Sequence, residues 1–328
     1  MRKLFIFLAI IAVSVVALLA LKNFQFKPEA EADTAIQEQE QPVHANEKTV
    51  DTVTALDTAN ERKAKKIALL IAVQNYPAIS CWGTLHSLND VQLLQKALKK
   101  YGFSVKTLTE EAATHKGILK AINDLKSECA PGDMVWIHFS GHGQQMPDVM
   151  GDENEDLTEA FIPFDALKDS THDYHGEKHL TDDEINEVLI PIRNSLTSAG
   201  QLLVTIDACH SESLTRGVGG SDDLIIRGTT KRFPEGKRIK RVKKLKNPAN
   251  GIEISACRST ESNYEYKNKN GSVYGSLSYL LFLGLNKHGE KLDLQKLAEF
   301  VTNKKNYKPI MPNQTPNRKN LDNSSSIR

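Results

Sequence analysis

The sequence predicts an α/β fold of three layers, in which helices flank a mainly parallel central sheet. Short runs of apolar, β-branched-rich residues alternate along the chain with segments whose apolar residues recur at helical spacing. The apolar runs are hydrophobic on both faces, which is typical of parallel strands that helices cover on each side. With 328 residues, of which 40% are hydrophobic and 25% charged, the chain has the composition of a globular protein with a packed core.

The alternation of predicted strands and helices begins at Lys66 and continues to about residue 302. The apolar runs predict strands at 67–73, 103–108, 133–139, 201–207 and 252–256. The helical patterns predict helices at 90–102, 114–128, from about 182, near 275–287 and near 292–302. Parallel sheets bind their ligands beyond the carboxyl ends of the strands, so we expect functional residues directly after these runs.

The N-terminal segment predicts where the protein resides rather than how it folds. Residues 4–21 form an uninterrupted apolar run that follows Arg2 and Lys3. At about 1.5 Å per helical residue, this run is long enough to cross the hydrocarbon core of a bilayer. We therefore predict a signal-anchor, or a cleaved signal peptide, over residues 1–22 and a membrane-anchored or exported protein. Residues 23–63 are polar and acidic, which predicts a flexible linker.

Composition and cysteine spacing exclude several classes of function. The 42 Lys and Arg residues nearly balance the 41 Asp and Glu residues, so no net charge favours nucleic acid or an acidic partner. Four cysteines, spread widely along the chain, are unsuited to a disulfide scaffold or a thiolate zinc site. The sequence also lacks a GxSxG elbow, a GxxxxGK(S/T) loop and a GxGxxG motif after a strand, and it implies no organic cofactor.

A histidine and a cysteine follow two of the predicted buried strands. The sequence Ser140-Gly141-His142-Gly143 comes after one strand, and Asp207-Ala208-Cys209-His210-Ser211 includes the end of another. An imidazole is the usual base for a thiol, because its own pKa lies near neutrality. The residues alone leave two interpretations open: a catalytic dyad of His142 and Cys209, or an inert buried thiol beside a hydrogen-bonded loop histidine.

These two motifs, together with Leu88-Asn89-Asp90 at the start of a predicted helix, resemble those of the caspase-fold cysteine peptidases. The similarity is greatest to the bacterial metacaspase-like branch, and the segment IEISACRSTESNYEY followed by GSVYGSLSYLL resembles the small-subunit region. The resemblance implies a large-subunit-like region over 64–216, an intersubunit loop over 217–250, a small-subunit-like region over 251–310 and a polar tail over 311–328. It also implies that His142 is the general base and acid and that Cys209 is the nucleophile. The backbone amides of Gly143 and Cys209 would then stabilise the oxyanion.

The same resemblance assigns a substrate pocket to Asp90, Ser140 and Asp207. Desolvated carboxylates favour a cationic partner and disfavour an anion, so we expect cleavage after Arg or Lys. On sequence grounds alone, Asn89 or Asp90 could equally cap a helix that starts at Val91.

Metacaspases often need calcium, and the resemblance places ligands at Asp182 and Asp183. Thr158 and Arg216, however, stand where further acidic ligands are expected. Calcium takes six to eight oxygen ligands, so we expect weak binding or none, and no required cofactor. Two other groups are interpreted as solvated loops rather than as calcium and zinc sites: Asp152, Glu153, Glu155 and Asp156, and then His172, His175 and His179.

A strongly basic stretch separates the two halves of the catalytic region. Residues 227–246, which begin with Arg227 and end with Lys246, contain ten Lys or Arg residues and one Glu. An enzyme that cuts after basic residues could process itself here, since exposed loops are where nicking concentrates. The alternatives are a solvated loop and a patch for anionic lipid, while nucleic acid is not expected as a partner.

The sequence therefore predicts a membrane-anchored or exported cysteine endopeptidase that acts on proteins or peptides with Arg or Lys before the scissile bond. The alternative is a non-catalytic caspase-like interaction module at the membrane, because a fold by itself does not establish activity.

Overall fold

The computed structural model describes residues 62–149, 157–208, 225–238, 248–287, 289 and 291–321, all within one compact unit, Asn60–Arg328. Its strands are β1 (Lys66–Ala72), β2 (Ser104–Thr109), β3 (Met134–Ser140), β4 (Gly143–Pro147), β5 (Leu157–Phe161), β6 (Leu180–Thr181), β7 (Gln201–Asp207), β8 (Asn250–Ser255), β9 (Glu265–Lys267), β10 (Val273–Gly275) and β11 (Asn317–Asn320). Its helices are α1 (Ser87–Lys100), α2 (His115–Glu128), α3 (Asp182–Leu196), α4 (Ser276–Lys287), α5 (Leu294–Thr302) and α6 (Lys304–Tyr307).

A six-stranded sheet in the order β11-β8-β7-β3-β1-β2 forms the centre of the unit. All neighbouring strands in it are parallel except β11, which runs antiparallel to β8. The predicted α/β class with a mainly parallel sheet is confirmed. Every strand and helix listed from the sequence pattern is present, with boundaries shifted by a few residues.

Helices cover both faces of this sheet, as its continuous apolar strands predict. Strand residues point alternately to opposite faces. In β1, Ile67, Leu69 and Ile71 pack in one core cluster with apolar residues of α2 and α3. Their neighbours Ala68 and Leu70 belong to the second cluster, which contains residues of α1, α4 and α5. Helices and apolar side chains therefore cover the sheet on both faces.

The carboxyl ends of three central strands meet at one edge of the sheet. Ser140, the last residue of β3, is paired with Ala72 of β1 on one side and with Asp207 of β7 on the other. Because these strands are parallel and in register, the segments that follow them leave the sheet at the same place.

Several elements were absent from the sequence prediction. A small antiparallel sheet in the order β4-β5-β6 and a hairpin of β9 and β10 lie outside the central sheet. The interpretation of residues 311–328 as a polar tail is wrong for their first part. Gln314 is buried, and Asn317–Asn320 form β11, whose backbone completes the central sheet although its side chains are polar.

Among the described residues, no helix is long and apolar enough to cross a membrane. The predicted anchor at residues 4–21 and the linker up to residue 61 lie outside the described residues, so both stay predictions.

Candidate active site

The structure brings the three predicted pocket residues together at the carboxyl edge of the sheet. Asp90 comes from the first turn of α1, Ser140 ends β3 and Asp207 ends β7, and all three are fully buried. The Ser140 hydroxyl donates a hydrogen bond of 2.7 Å to Asp90 Oδ2, and the Gly275 amide donates one of 2.8 Å to Asp90 Oδ1. The helix-cap alternative for Asp90 is wrong, because α1 begins at Ser87 and the Asp90 carboxylate bonds to other elements.

The carboxylate of Asp207 is fixed by the C-terminal part of the chain. Asn263 Nδ2 donates to its Oδ1 at 2.8 Å, and the amide and hydroxyl of Ser278 donate to its Oδ2 at 2.7 and 2.6 Å. Three hydrogen bonds hold this buried negative charge in one position. The Asp207 carboxylate therefore cannot rotate freely, and it places its negative charge at a fixed position in the pocket.

The pocket already contains a guanidinium group, that of Arg227. Its Nη1 donates to Ser140 Oγ at 2.8 Å and to the Asp207 carbonyl oxygen at 3.2 Å. Its Nη2 donates to Asp90 Oδ2 at 2.8 Å and to Glu265 Oε1 at 3.0 Å. The expectation that the basic segment is an exposed loop is wrong at Arg227, which is 0% exposed because three carboxylates surround its charge.

Burial and charge act against each other in this cluster. Burial raises the pKa of Asp90 to about 6, although the neighbouring Arg227 guanidinium lowers it. Burial also lowers the pKa of Arg227, but Asp90, Asp207 and Glu265 outweigh this effect and hold it above its ordinary value. Without the Arg227 cation, the desolvated carboxylates of this cluster would be unpaired.

The backbone around Arg227 is bound as an extended peptide. The Arg227 amide donates to the Asn263 carbonyl at 3.0 Å, and the Glu265 amide donates to the Ile225 carbonyl at 2.9 Å. These bonds add the segment to residues 263–265 in antiparallel fashion, a common mode of peptide recognition. On the other side, the Gly143 amide donates to the Arg227 carbonyl oxygen at 3.2 Å. The predicted oxyanion donor therefore contacts the carbonyl of the residue whose side chain fills the pocket.

His142 is held in one orientation and one tautomer. Its Nε2 lies 2.8 Å from the Gly83 carbonyl oxygen, which can only accept, so Nε2 carries the proton. The ring stacks on Trp82 at 4.9 Å, and the His142 amide donates to the Tyr76 hydroxyl at 3.0 Å. Nδ1 is buried and has no hydrogen-bond partner among the described residues. Burial lowers the pKa of His142 to about 3, so at neutral pH the ring is uncharged and Nδ1 carries a lone pair.

The predicted nucleophile Cys209 lies outside the described residues. The chain is described as far as Ala208, which follows the last residue of β7 and is buried. The pairing of Cys209 with His142, and the role of its amide in the oxyanion site, therefore stay predictions.

Asp182, one of the two predicted calcium ligands, has hydrogen-bond partners within the protein. Asp182 Oδ1 accepts hydrogen bonds from the Thr158 hydroxyl at 2.5 Å and from the Asp183 amide at 3.0 Å. Beside it, Lys237 Nζ forms an ion pair of 2.6 Å with Glu184. No group of three or more His, Cys, Asp or Glu residues suited to a metal occurs within the described ranges. Residues 152–156 and Arg216 lie outside those ranges.

The three histidines with zinc-like spacing bond to different partners. His172 pairs with Asp173, and His175 pairs with Glu235. His179 is buried between the Tyr174 hydroxyl and the Gln144 side chain, each at 2.8 Å. The interpretation of these histidines as a solvated loop rather than a zinc site stays a prediction.

Sequence reasoning missed Arg227 as an occupant, Glu265 as a pocket carboxylate and Gly83 as the partner of His142. Glu265 lies in the segment that resembles the small-subunit region, and this resemblance was the only feature of the sequence that could have pointed to it as a functional residue. Gly83 acts through its backbone carbonyl, so no side-chain pattern marks it.

Comparisons with known proteins agree with this architecture. Residues 65–322 match the family model described as Caspase domain. Metacaspase-1 of Cryptococcus neoformans is 25% identical over 279 residues, which cover 71% of this chain and 58% of that protein. Metacaspase-1 of Schizosaccharomyces pombe is 31% identical over 180 residues, or 52% of this chain and 37% of that protein. The chain thus spans only about half the length of these curated relatives. Both are fungal proteins, so they do not show that the chain belongs to the bacterial branch.

A solved structure shares the fold. The crystal structure of a protein from Geobacter sulfurreducens has a TM-score of 0.54, with 21% identity, and covers 78% of this chain and 93% of that chain. At this identity the similarity shows the fold alone.

Proposed function

The chain belongs to the caspase domain family of peptidases, and we propose that it is a metacaspase-like cysteine endopeptidase that cleaves after Arg or Lys. One observation supports this proposal above all others. The Arg227 side chain fills the pocket of Asp90, Ser140 and Asp207 while its carbonyl oxygen accepts a hydrogen bond from Gly143. A substrate residue bound in the same way would have its scissile carbonyl at the oxyanion donor.

The chemistry follows from the protonation state of His142. Its free Nδ1 accepts the proton of the Cys209 thiol, and the thiolate attacks the carbonyl carbon of the residue in the pocket. The carbonyl oxygen becomes an oxyanion, which the amides of Gly143 and Cys209 stabilise. The Nδ1 proton then passes to the leaving amine as the C–N bond breaks. Water, deprotonated by Nδ1, attacks the thioester, the C–S bond breaks and the thiol regains its proton.

We also propose that the chain processes itself at the Arg227–Gly228 bond. Arg227 occupies the pocket and Gly228 is bridged to Gly143, so this peptide bond lies beside the oxyanion donor. An external substrate needs the same pocket, so it competes with Arg227 until the segment that contains Arg227 leaves the pocket.

The remaining assignments are proposals from the sequence. The apolar run at residues 4–21 supports a membrane-anchored or exported protein, and the chain's charge balance supports protein rather than nucleic-acid partners. The Lys237–Glu184 ion pair beside Asp182 supports an enzyme that does not require calcium.

The test is an assay of the full chain, purified in detergent, on fluorogenic peptides that end in Arg, Lys or Asp, with calcium or with chelator. Cys209→Ala is the matched inactive variant, and Cys257→Ala, which removes a buried thiol elsewhere in the chain, is its control. We expect cleavage after Arg or Lys by the wild-type and Cys257→Ala chains and none by Cys209→Ala. Cleavage only after Asp would contradict the pocket assignment, and a folded but inactive wild-type chain would favour a non-catalytic module.

A further inference from the structure

We propose that Glu265, oriented by His86, makes the pocket select arginine over lysine. This inference rests on the proposed peptidase function and concerns which of the two basic residues its pocket prefers.

Glu265 enters the pocket from the hairpin of β9 and β10. It is the first residue of β9 and is paired with Gly275 of β10, whose amide binds Asp90. The Glu265 side chain is 2% exposed, and its carboxylate oxygen Oε1 lies 3.0 Å from Arg227 Nη2. It is thus a further buried carboxylate in contact with the bound cation.

The acceptors around Arg227 fall into two groups, one for each terminal nitrogen. Ser140 Oγ and the Asp207 carbonyl accept from Nη1. Asp90 Oδ2 and Glu265 Oε1 accept from Nη2. A guanidinium is planar and presents its donors in a fixed fork, so it satisfies both groups at once.

A lysine side chain ends in one nitrogen, whereas the guanidinium of arginine ends in two, Nη1 and Nη2. Ser140 Oγ and Asp90 Oδ2 are hydrogen-bonded to each other, so an ammonium can approach both of them. Its three N–H donors cannot satisfy all four acceptors, which the two terminal nitrogens of Arg227 meet with four N–H donors. A lysine that binds toward Ser140 and Asp207 would leave Glu265 buried without its cation. Unpaired buried groups are the usual basis of strong discrimination between similar substrates.

His86 holds Glu265 by both of its oxygens. The His86 amide donates to Oε1 at 2.8 Å, and ring Nδ1 lies 2.6 Å from Oε2. His86 directly precedes α1, the helix that carries Asp90, so the two carboxylates on Nη2 are positioned from one segment. The His86 ring is 39% exposed and does not touch Arg227, so His86 is a positioning residue.

The experiment compares kcat/KM for two peptides that differ only in Arg or Lys before the scissile bond. The full chain in detergent is tested as wild type, Glu265→Gln and Glu299→Gln, the last an exposed glutamate on α5 with the same chemical change. We expect the wild-type and Glu299→Gln chains to prefer Arg by at least about 10-fold, and Glu265→Gln to bring the ratio within about threefold. The loss should fall on the Arg peptide.

Two substitutions at His86 separate positioning from general stability. His86→Asn keeps a side-chain donor for Glu265 and should retain most of the Arg preference, whereas His86→Ala should lose much of it, chiefly through a higher KM for the Arg peptide. Equal cleavage of both peptides by the wild-type chain, or an unchanged ratio in folded Glu265→Gln, would overturn the inference and leave the peptidase function standing. No cleavage of either peptide by the wild-type chain would overturn both.

Discussion

The backbone amide of Gly143 donates a hydrogen bond of 3.2 Å to the carbonyl oxygen of Arg227. This contact joins the turn after β3, which carries His142, to a basic segment some 80 residues further along the chain. Because the Arg227 side chain fills the acidic pocket at the same time, Arg227 is bound in the way that we propose for a substrate residue.

Removing the Arg227 side chain should destabilise the protein. Arg227→Ala leaves the buried carboxylates of Asp90 and Glu265 without their cation, and such a change costs about 3 kcal/mol or more. Thermal unfolding measures the loss, in a Cys209→Ala chain so that cleavage does not intervene. Arg232→Ala, an exposed residue of the same segment, is the control and should unfold within a degree or two of its parent. Equal unfolding temperatures for the two variants would contradict the burial of Arg227.

Cleavage of Arg peptides should weaken as the pH falls through about 6. Burial raises the pKa of Asp90 to about 6, so acidification neutralises this carboxylate and removes part of the attraction for a cation. Burial lowers the pKa of His142 to about 3, so His142 stays an uncharged base across this range. The profile of kcat/KM against pH measures the effect, and Asp90→Asn should lower the rate and remove the limb near 6. If kcat/KM of that variant still fell near pH 6, the fall would have to be assigned to another titrating group.

Asp90 also has a consequence for stability. Its folded-state pKa lies above the ordinary value of 3.8, so the folded state binds its proton more tightly than the unfolded state does. Its contribution to stability is therefore full below pH 3.8 and is lost as the pH rises to about 6. Asp90→Asn should unfold with a flatter pH dependence between these values than the wild-type chain, as measured by denaturant titration. A steeper pH dependence of stability in Asp90→Asn than in the wild-type chain would show that Asp90 does not lose its stabilising effect as the pH rises.

A methyl group at Gly275 should block the pocket. A Cβ there would lie 2.2 Å from Asp207 Oδ2 and 2.7 Å from Arg227 Cζ, both closer than atoms can approach. Gly275→Ala should reduce kcat/KM for Arg peptides by about 100-fold or more, since a displacement of about 1 Å at a site has effects of this size. Gly289→Ala, where a Cβ meets no atom within 4 Å, is the matched control. Full activity of Gly275→Ala would contradict the assignment of the pocket.

The sequence predicted five of the six strands of the central sheet because they are largely apolar runs, and this pattern depends only on neighbouring residues. The resemblance to the caspase-fold peptidases placed Asp90, Ser140 and Asp207 in one pocket, and in the structure two of them end adjacent strands. The antiparallel strands β4 and β5 escaped prediction since their buried positions include polar residues such as Gln144 and Gln145. The strand β11 has no apolar pattern at all, because its backbone alone joins the sheet.

Arg227 and Glu265 could not be found by local patterns. Arg227 is one of ten basic residues in its segment, and only the folded chain shows which of them meets Asp90. Glu265 is brought to the pocket by a hairpin whose strands are three residues long, too short for a periodic signal.

The most direct test of the account is intact-mass analysis of the full chain, wild type beside Cys209→Ala. We expect the wild-type chain to be cut between Arg227 and Gly228 and the Cys209→Ala chain to remain whole. Cleavage of the Cys209→Ala chain at the same bond, or a wild-type chain that cuts Arg peptides but leaves this bond intact in every preparation, would contradict it.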